Sequence, residues 1–359
     1  MPTLKSFPLQ KNAWYAAALC DEISDRPLAR EILGRALVFY RLPDGRAVAM
    51  EDRCPHRLAP LSPGKLIGDA IECPYHGLRF GPDGMCTFVP GQARIPARAR
   101  VATFPVVERY GLLWVWPGEG AADPSKLPDW RWAEDPEWTS LRGHFPIACH
   151  YMLSVDNLMD LSHIGYVHAS TIGSAADAEN AVVDTLTEGT TVTVRRWVEN
   201  VAPSPTFAKA LGSDAPIDRW QIIEFQPPAY IRTFKGLGRG IFGAPGFDFR
   251  SAEADAPAAA LSVSRGNTCI TPATETSCHY FTVHCHFRQT DEDKLAHLWQ
   301  QTVETLEQDV EILEQTQKNV SRDPDASLVT IHVDEGVEKA RQAARMAARA
   351  AVTEPALQD

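Results

Sequence analysis

The chain has 359 residues, 44% apolar and 23% charged, a balance that suits a folded protein with a large core and excludes disordered and fibrous classes. Its formal net charge of -11 argues against nucleic acid, whose phosphates need concentrated Lys and Arg. No apolar run approaches the ~20 residues that cross a bilayer, and the opening "MPTLKSFPLQKNAWY" has no signal-peptide pattern, so a cytoplasmic protein without membrane contact is expected. Eight cysteines are too sparse for a disulfide scaffold, and Cys20, Cys86, Cys149, Cys269, Cys278 and Cys285 read as small buried hydrophobes.

From about residue 10 to 117, β-type runs such as "RALVFYRL", "AVAMEDR" and "GLLWVWPG" are broken by Pro and Gly every ten residues or so, the spacing of a small antiparallel sandwich or barrel. The passage "PGEGAADPSKLPDW" reads as a linker. Beyond it, "SVDNLMDLSHIGYVHAS" has a helical pattern, with Ser154 as its expected cap. Strands such as "VTVRRWVEN", "DRWQIIEFQ" and "CHYFTVHCHF" fill 182 to 288, with 235 to 262 expected as a loop. "DEDKLAHLWQQTVETLEQDVEILEQTQKN" is the strongest helix, and "VEKARQAARMAARAAV" is a second, whose stripe Arg341, Arg345 and Arg349 reads as a solvated face. The expected plan is α+β: residues 1–118 as an all-β domain, 119–140 as linker, and 141–359 as a domain with a sheet and helices.

Residues 54 to 77 read "CPHRLAPLSPGKLIGDAIECPYHG". Structural zinc sites of two Cys and two His usually group their ligands by type. Here each of two fragments, Cys54-x-His56 and Cys73-x-x-His76, offers one thiol and one imidazole. A Rieske [2Fe-2S] cluster needs two thiolates on one iron and two neutral imidazoles on the other, so two loops must each deliver one of each. Pro55, Pro74 and Gly77 suit tight loops that aim backbone N-H groups at the sulfurs.

This fragment, with "NAWYAAALCDEI" before it and "FPVVERYGLLWVWPG" after it, resembles Rieske non-heme iron aromatic oxygenases of the vanillate O-demethylase and dicamba monooxygenase group, and the similarity runs along nearly the whole chain. The resemblance implies that Cys54, His56, Cys73 and His76 are the cluster ligands, and that an N-terminal all-β Rieske domain precedes a helix-grip-like catalytic domain with an antiparallel sheet.

A second constellation follows. His163 and His168 lie five apart, and Asp156, Asn157, Asp160 and His163 interrupt an otherwise apolar segment. On the long helix, Trp299, Val303, Leu306, Val310 and Leu313 mark a buried face, and Glu304, Glu307, Glu311 and Glu314 an acidic one. Asp309 falls beside the apolar stripe, where an uncompensated charge is costly and a metal ion would offset it. Two His and one carboxylate with open positions is the non-heme Fe(II) oxygenase arrangement. The resemblance makes His163 and His168 the iron ligands through "DNLMDLSHIGYVH". It points to Asp309 as the third, with Glu307 and Glu311 as the other choices. It also implies that Asp160 bridges His163 or His168 to His76 of the next subunit in a head-to-tail oligomer, a trimer in this family, and Asn157 is a candidate for orienting the iron site.

The chemistry so implied is that of the oxygenase component of a monooxygenase, taking electrons from NAD(P)H through a separate reductase or ferredoxin and removing the methyl group of a methoxylated, vanillate-like aromatic acid with O2. Hydroxylation or dealkylation of another aromatic acid, such as a sulfonated methylarene, is the alternative. Gln221, Ile223 and Thr233 are the expected pocket residues, with Arg232 or Arg265 meeting a carboxylate. Two other classes stay open: an electron carrier would hold the cluster alone, and a zinc-stabilised binding module would be colourless.

Overall fold

The computed structural model describes residues 7–173, 179–242, 260–288 and 291–353. The chain forms two compact units, one of residues 9–128 with 271–275, the other built mainly of 129–270 and 276–353. The first is all β and the second joins a sheet to helices, the fold class expected.

In the first unit β2 (Leu28–Ile32), β3 (Arg35–Arg41), β4 (Ala47–Glu51) and β9 (Thr103–Phe104) make one sheet, and β1 (Tyr15–Leu19), β11 (Leu112–Val115) and β10 (Val106–Arg109) another. Strand β3 is buried at four successive positions because it separates two cores. Leu37 and Phe39 face a cluster with Ala17, Leu113 and Val115, while Val38 and Tyr40 face Met50, Ile71 and Phe80. The period of two in a strand does the sorting. Cys54 and Cys73 belong to the second of these cores. In a third sheet, β5 (Lys65–Ile67), β6 (Ala70–Glu72), β7 (Arg79–Phe80) and β8 (Cys86–Phe88), one Cys-His loop precedes β5 and the other joins the central strands β6 and β7.

The second unit is built on a seven-stranded sheet in the order β12 (Trp138–Ile147), β18 (Ser277–Phe287), β17 (Ala260–Thr274), β16 (Tyr230–Gly238), β15 (Ile217–Gln226), β14 (Thr191–Val201), β13 (Val182–Glu188). Its helices include α1 (Tyr151–Met159), α2 (Ile164–Val167), α3 (Pro205–Leu211), α4 (Glu292–Arg322) and α5 (Glu335–Thr353). Helix α4 starts where Asp291 accepts from the Lys294 N-H, with Glu292 and Asp293 beside the positive end of its dipole. None of the described helices is long and apolar enough to cross a membrane.

Four local expectations change. The segment 154–170 is not one helix: α1 begins at Tyr151, capped by the His150 ring, and Ser154 lies inside it, hydrogen-bonded to the thiols of Cys149 and Cys278. The helix stops at Asp160, whose extended backbone (φ -114°, ψ 101°) leads into a 3-10 turn at Leu161–His163. Within the expected loop 235–262, Lys235 to Gly238 and Ala260 to Ser262 are strand, and 243–259 lie outside the described residues. Gly236 in this stretch serves packing: a Cβ there would stand 1.9 Å from the Trp220 ring. Finally, the basic stripe of α5 is solvated only at Arg349, which is exposed: Arg341 is 4% exposed and paired with Asp156 of α1, and Arg345 lies 4.4 Å over the Phe7 ring. Of the cysteines, Cys20 is half-buried and the other seven are buried, and none is in a disulfide.

Candidate metal centres

The two Cys-His loops share one backbone design. Cys54 N-H donates to Ala59 O (2.8 Å) and Leu58 N-H returns to Cys54 O (2.9 Å); Cys73 N-H donates to Leu78 O (2.7 Å) and Gly77 N-H returns to Cys73 O (3.0 Å). Both turns close on a left-handed residue, Leu58 at φ 60° and Gly77 at φ 72°. Glycine takes that conformation freely, and Leu58 is held there by the loop's hydrogen bonds. The result buries Cys54 and Cys73 and leaves His56 and His76 exposed, with their ring centroids 4.6 Å apart. Gly64 permits close approach of the two loops, as a Cβ there would lie 2.1 Å from Glu72 O.

Burial pushes the Cys54 thiol up to about 11, the N-H of His56 lowers it, and the neighbouring Cys73 thiol raises it again. Two adjacent buried sulfurs therefore become thiolates together only when a metal offsets their charge. Thiols inside, imidazoles at the surface, and N-H groups aimed at a sulfur fit a [2Fe-2S] cluster with mixed ligation. Asp52, which sequence reasoning passed over, anchors the first loop: Oδ1 accepts from Leu61 N (2.5 Å) and Ser62 N (2.7 Å), and Oδ2 from Ser62 Oγ (2.5 Å).

In the second unit, His163, His168 and Asp309 converge, with one ligand atom from each inside a 4.8 Å span. Asp309 Oδ1 is 3.6 Å from His163 Nε2 and 3.2 Å from His168 Nε2, and it accepts from Asn157 Nδ2 at 2.9 Å. The other ring nitrogens are committed: His163 Nδ1 meets the Asp160 main-chain carbonyl (2.5 Å) and His168 Nδ1 the Gln308 side-chain carbonyl (2.8 Å). A hydrogen on each Nδ1 leaves a lone pair on each Nε2, which is the tautomer that binds a metal. Burial holds His163 below the usual range against the pull of Asp309. Burial also draws His168 down, but the hydrogen bond and charge of Asp309, helped by Gln308, outweigh it and raise the ring. One negative charge facing two imidazoles that offer lone pairs is a donor set suited to a divalent ion.

Gln308 is held by Thr171 Oγ1 (3.0 Å) and Ser170 (2.9 Å), so the whole arrangement is supported. Its only sequence signal is adjacency to Asp309. Glu307 and Glu311 point outward and are exposed. Asp160 is half-buried; its carboxylate accepts from Ser162 N (2.8 Å), and its contact with His163 comes from the backbone. Behind the site Asp156, adjacent to Asn157, pairs with Arg341.

A cavity of about 220 Å³ opens on the triad. Gln221, Ile223 and Thr233 line it. Arg232 and Arg265 do not: on β16 and β17 they alternate to the opposite face, Arg232 pairing with Glu224 (2.6 Å) and Arg265 lying over the Trp132, Trp138 and Phe234 rings. The cation that faces the cavity from β16 is Lys235.

Paired thiol-imidazole loops and a separate His-His-carboxylate set lining a cavity define an iron-dependent oxygenase with two metal centres. The sequence matches the Rieske [2Fe-2S] domain family over residues 13–105 and the vanillate O-demethylase oxygenase C-terminal domain family over 147–350. It is 39% identical to the vanillate O-demethylase oxygenase subunit of Pseudomonas sp. (strain HR199 / DSM 7063), covering 92% of this chain and 93% of that one. It is 36% identical to the toluene-4-sulfonate monooxygenase system iron-sulfur subunit of Comamonas testosteroni, covering 92% and 94%. The crystal structure of dicamba monooxygenase bound to 3,6-dichlorosalicylic acid superimposes with a TM-score of 0.85 at 31% identity, over 97% of this chain and 100% of that one. A further dicamba monooxygenase structure, with non-heme iron and dicamba, matches with a TM-score of 0.76 at 30% identity, again over 97% and 100%. This chain belongs to the vanillate O-demethylase family of Rieske non-heme iron oxygenases, with a Rieske [2Fe-2S] cluster and a mononuclear iron as its cofactors.

Proposed function

We propose that the protein is the terminal oxygenase of a monooxygenase system that O-demethylates a methoxylated aromatic acid, releasing a phenol and formaldehyde. The observation that carries this reading is the His163, His168 and Asp309 triad at the end of a cavity of about 220 Å³, large enough for one substituted benzene ring. In this assignment Cys54, His56, Cys73 and His76 hold the cluster, and His163, His168 and Asp309 hold the iron. Iron in such a site supplies oxygen activation, and the cluster supplies electrons one at a time.

The chain's own residues do the rest. Gln308 and the Asp160 carbonyl fix the two imidazoles, and Asn157 steadies Asp309, so the triad keeps one face open toward the cavity. Ile223, Thr233 and their neighbours hold the methoxy carbon at that face and exclude water. Replacing one methyl C-H by C-OH gives a hemiacetal that falls apart to phenol and formaldehyde; the second oxygen atom leaves as water, using electrons from NAD(P)H delivered by a separate reductase or ferredoxin, and protons from solvent.

The assembly we propose is a head-to-tail homotrimer, in which the half-buried Asp160 links His163 of one protomer to His76 of the next. The His56 and His76 rings, exposed in the single chain, support a contact of this kind. A neutral link at that position would slow turnover without emptying either site, so Asp160→Asn is the variant that tests it.

The test of the reaction is incubation with a reductase, NADH and a panel of methoxylated aromatic acids, assaying formaldehyde. Stoichiometric formaldehyde and phenol are expected for at least one acid. Hydroxylation of another aromatic with no formaldehyde from any ether would exclude the demethylase reading. A sulfonated methylarene is the second substrate to try, because the 36% identical toluene-4-sulfonate relative spans 92% of this chain.

A further inference from the structure

Strand register places a row of hydrogen-bond donors across the cavity wall. Gln221 of β15 stands directly opposite Lys235 of β16, and Lys235 directly opposite Ser264 of β17. The next row is Ile223, Thr233 and Gly266. All six line the cavity. Directly paired residues share a face with Cβ atoms about 5 Å apart, and successive rows on that face are about 7 Å apart.

In the first row each group faces the cavity as a donor. The Gln221 carbonyl is committed, since Oε1 accepts from Arg196 Nη1 at 3.0 Å, and this leaves the amide N-H groups as its open end. Ser264 contributes a hydroxyl. Lys235 contributes an ammonium that no carboxylate pairs with among the described residues. Its charged neighbour is Arg219, on the same face two residues along β15 from Gln221. Burial first, and then repulsion from Arg219, bring Lys235 down to about 8. His284 and His286 of β18 line the same cavity, and burial together with the Lys235 charge keeps both rings neutral. An ammonium so placed lacks an anion. The second row has the opposite character, an isoleucine, a threonine and a glycine that adds no side chain, with no charged group among them.

We propose that Gln221, Lys235 and Ser264 form the receptor for the acid group of an anionic arene whose ring lies over Ile223, Thr233 and Gly266. This rests on the oxygenase reading of the cavity and sharpens it by naming the end of the substrate that the sheet holds. Carboxylate and sulfonate share the chemistry of this receptor. The row makes Lys235 a specificity-determining residue, separate from the metal ligands.

The experiment is a calorimetric titration of the iron-loaded protein with the electron source withheld, so that nothing turns over. The ligands are 4-methoxybenzoate, 4-methoxybenzenesulfonate and the neutral 4-methoxybenzamide; the proteins are wild type, Lys235→Met and Lys235→Arg. Lys235→Met is expected to weaken at least one acid about 10- to 100-fold, or about 1.4–2.8 kcal/mol, and to leave the amide unchanged. Lys235→Arg is expected to restore most of the loss. The acid that shows the loss identifies the head group. Equal effects on acid and amide, or a wild type that prefers neither acid to the amide, would overturn the receptor. Should Lys235→Met fail to fold, Ser264→Ala is the second variant, with an expected acid-selective loss of about 3- to 10-fold; no selectivity there overturns the proposal equally. The reaction and the receptor fail separately. Acids that bind through Lys235 while no ether is demethylated would remove the reaction alone, and demethylation indifferent to the acid group would remove the receptor alone.

Discussion

The two candidate metal sites are built in contrasting ways. The candidate cluster loops offer four donor side chains from 23 successive residues, Cys54 to His76, and repeat one backbone hydrogen-bond pattern twice, so each loop is specified locally. The candidate iron triad takes two residues from the broken helix around 160 and the third from α4, with His168 and Gln308, which is next to Asp309, separated by 140 residues in sequence; its supports, Gln308, Asn157 and Arg341, come from three helical segments. A locally specified site follows from chain order, whereas an assembled site depends on packing. Damage to helix packing should therefore reach the iron and spare the cluster, and damage to a loop anchor should do the reverse.

The largest stability effect is expected from Arg341→Ala. It leaves Asp156 buried beside Asn157 without its cation, costing about 3–5 kcal/mol. The melting midpoint should fall by roughly 10 °C, and iron should be lost more readily while the cluster's visible spectrum persists. A spectrum that fades in parallel with iron loss would break the contrast. Asp52→Ala is the converse. It strips three acceptor contacts from the first cluster loop, two of them to backbone N-H groups, for about 3 kcal/mol. The cluster signal should drop and bound mononuclear iron should not, as measured by electron paramagnetic resonance.

Gln308→Ala frees the His168 ring and should weaken iron about 10- to 100-fold in a chelator competition, whereas Gln308→Glu, which keeps an acceptor, should hold most of it. The smallest effect is one of pH. The acid binds protonated Lys235, which Arg219, His284 and His286 surround, and that amine in the free protein sits at about 8. Affinity for the acid should therefore be level below pH 8 and decline above it, and it should stay level in Lys235→Arg. A decline of equal size in the arginine variant would place the titration elsewhere.

The same contrast explains what the sequence made legible. The four residues of the cluster loops could be picked out because mixed ligands, Pro and Gly lie within one short window. Asp309 was legible through helical phase, one charge on a face that buries Leu306 and Leu313. Arg341 carried a comparable signal that was misread: Val337, Arg341, Ala344 and Ala348 are a buried stripe of α5 at helical spacing, and the guanidinium occupies a core position because Asp156 meets it. Gln308 carried only its adjacency to Asp309, and Lys235 no signal, since their roles depend on which strand or helix faces them. The misplaced start of α1 has a local cause as well: an imidazole caps it, where a serine three residues into the helix looked like the better cap, and that serine instead bonds two buried thiols. In β16 a glycine that reads as flexibility is a contact surface for Trp220.

The central claim, that one chain carries two independently assembled iron centres, is tested most directly by counting iron and acid-labile sulfide and recording the reduced cluster's paramagnetic signal in wild type and His168→Ala. The account predicts about three irons and two sulfides per chain in the wild type, and in the variant the loss of about one iron with sulfide and signal unchanged and formaldehyde formation abolished. An unchanged iron count, or loss of the cluster signal together with the iron, would contradict it.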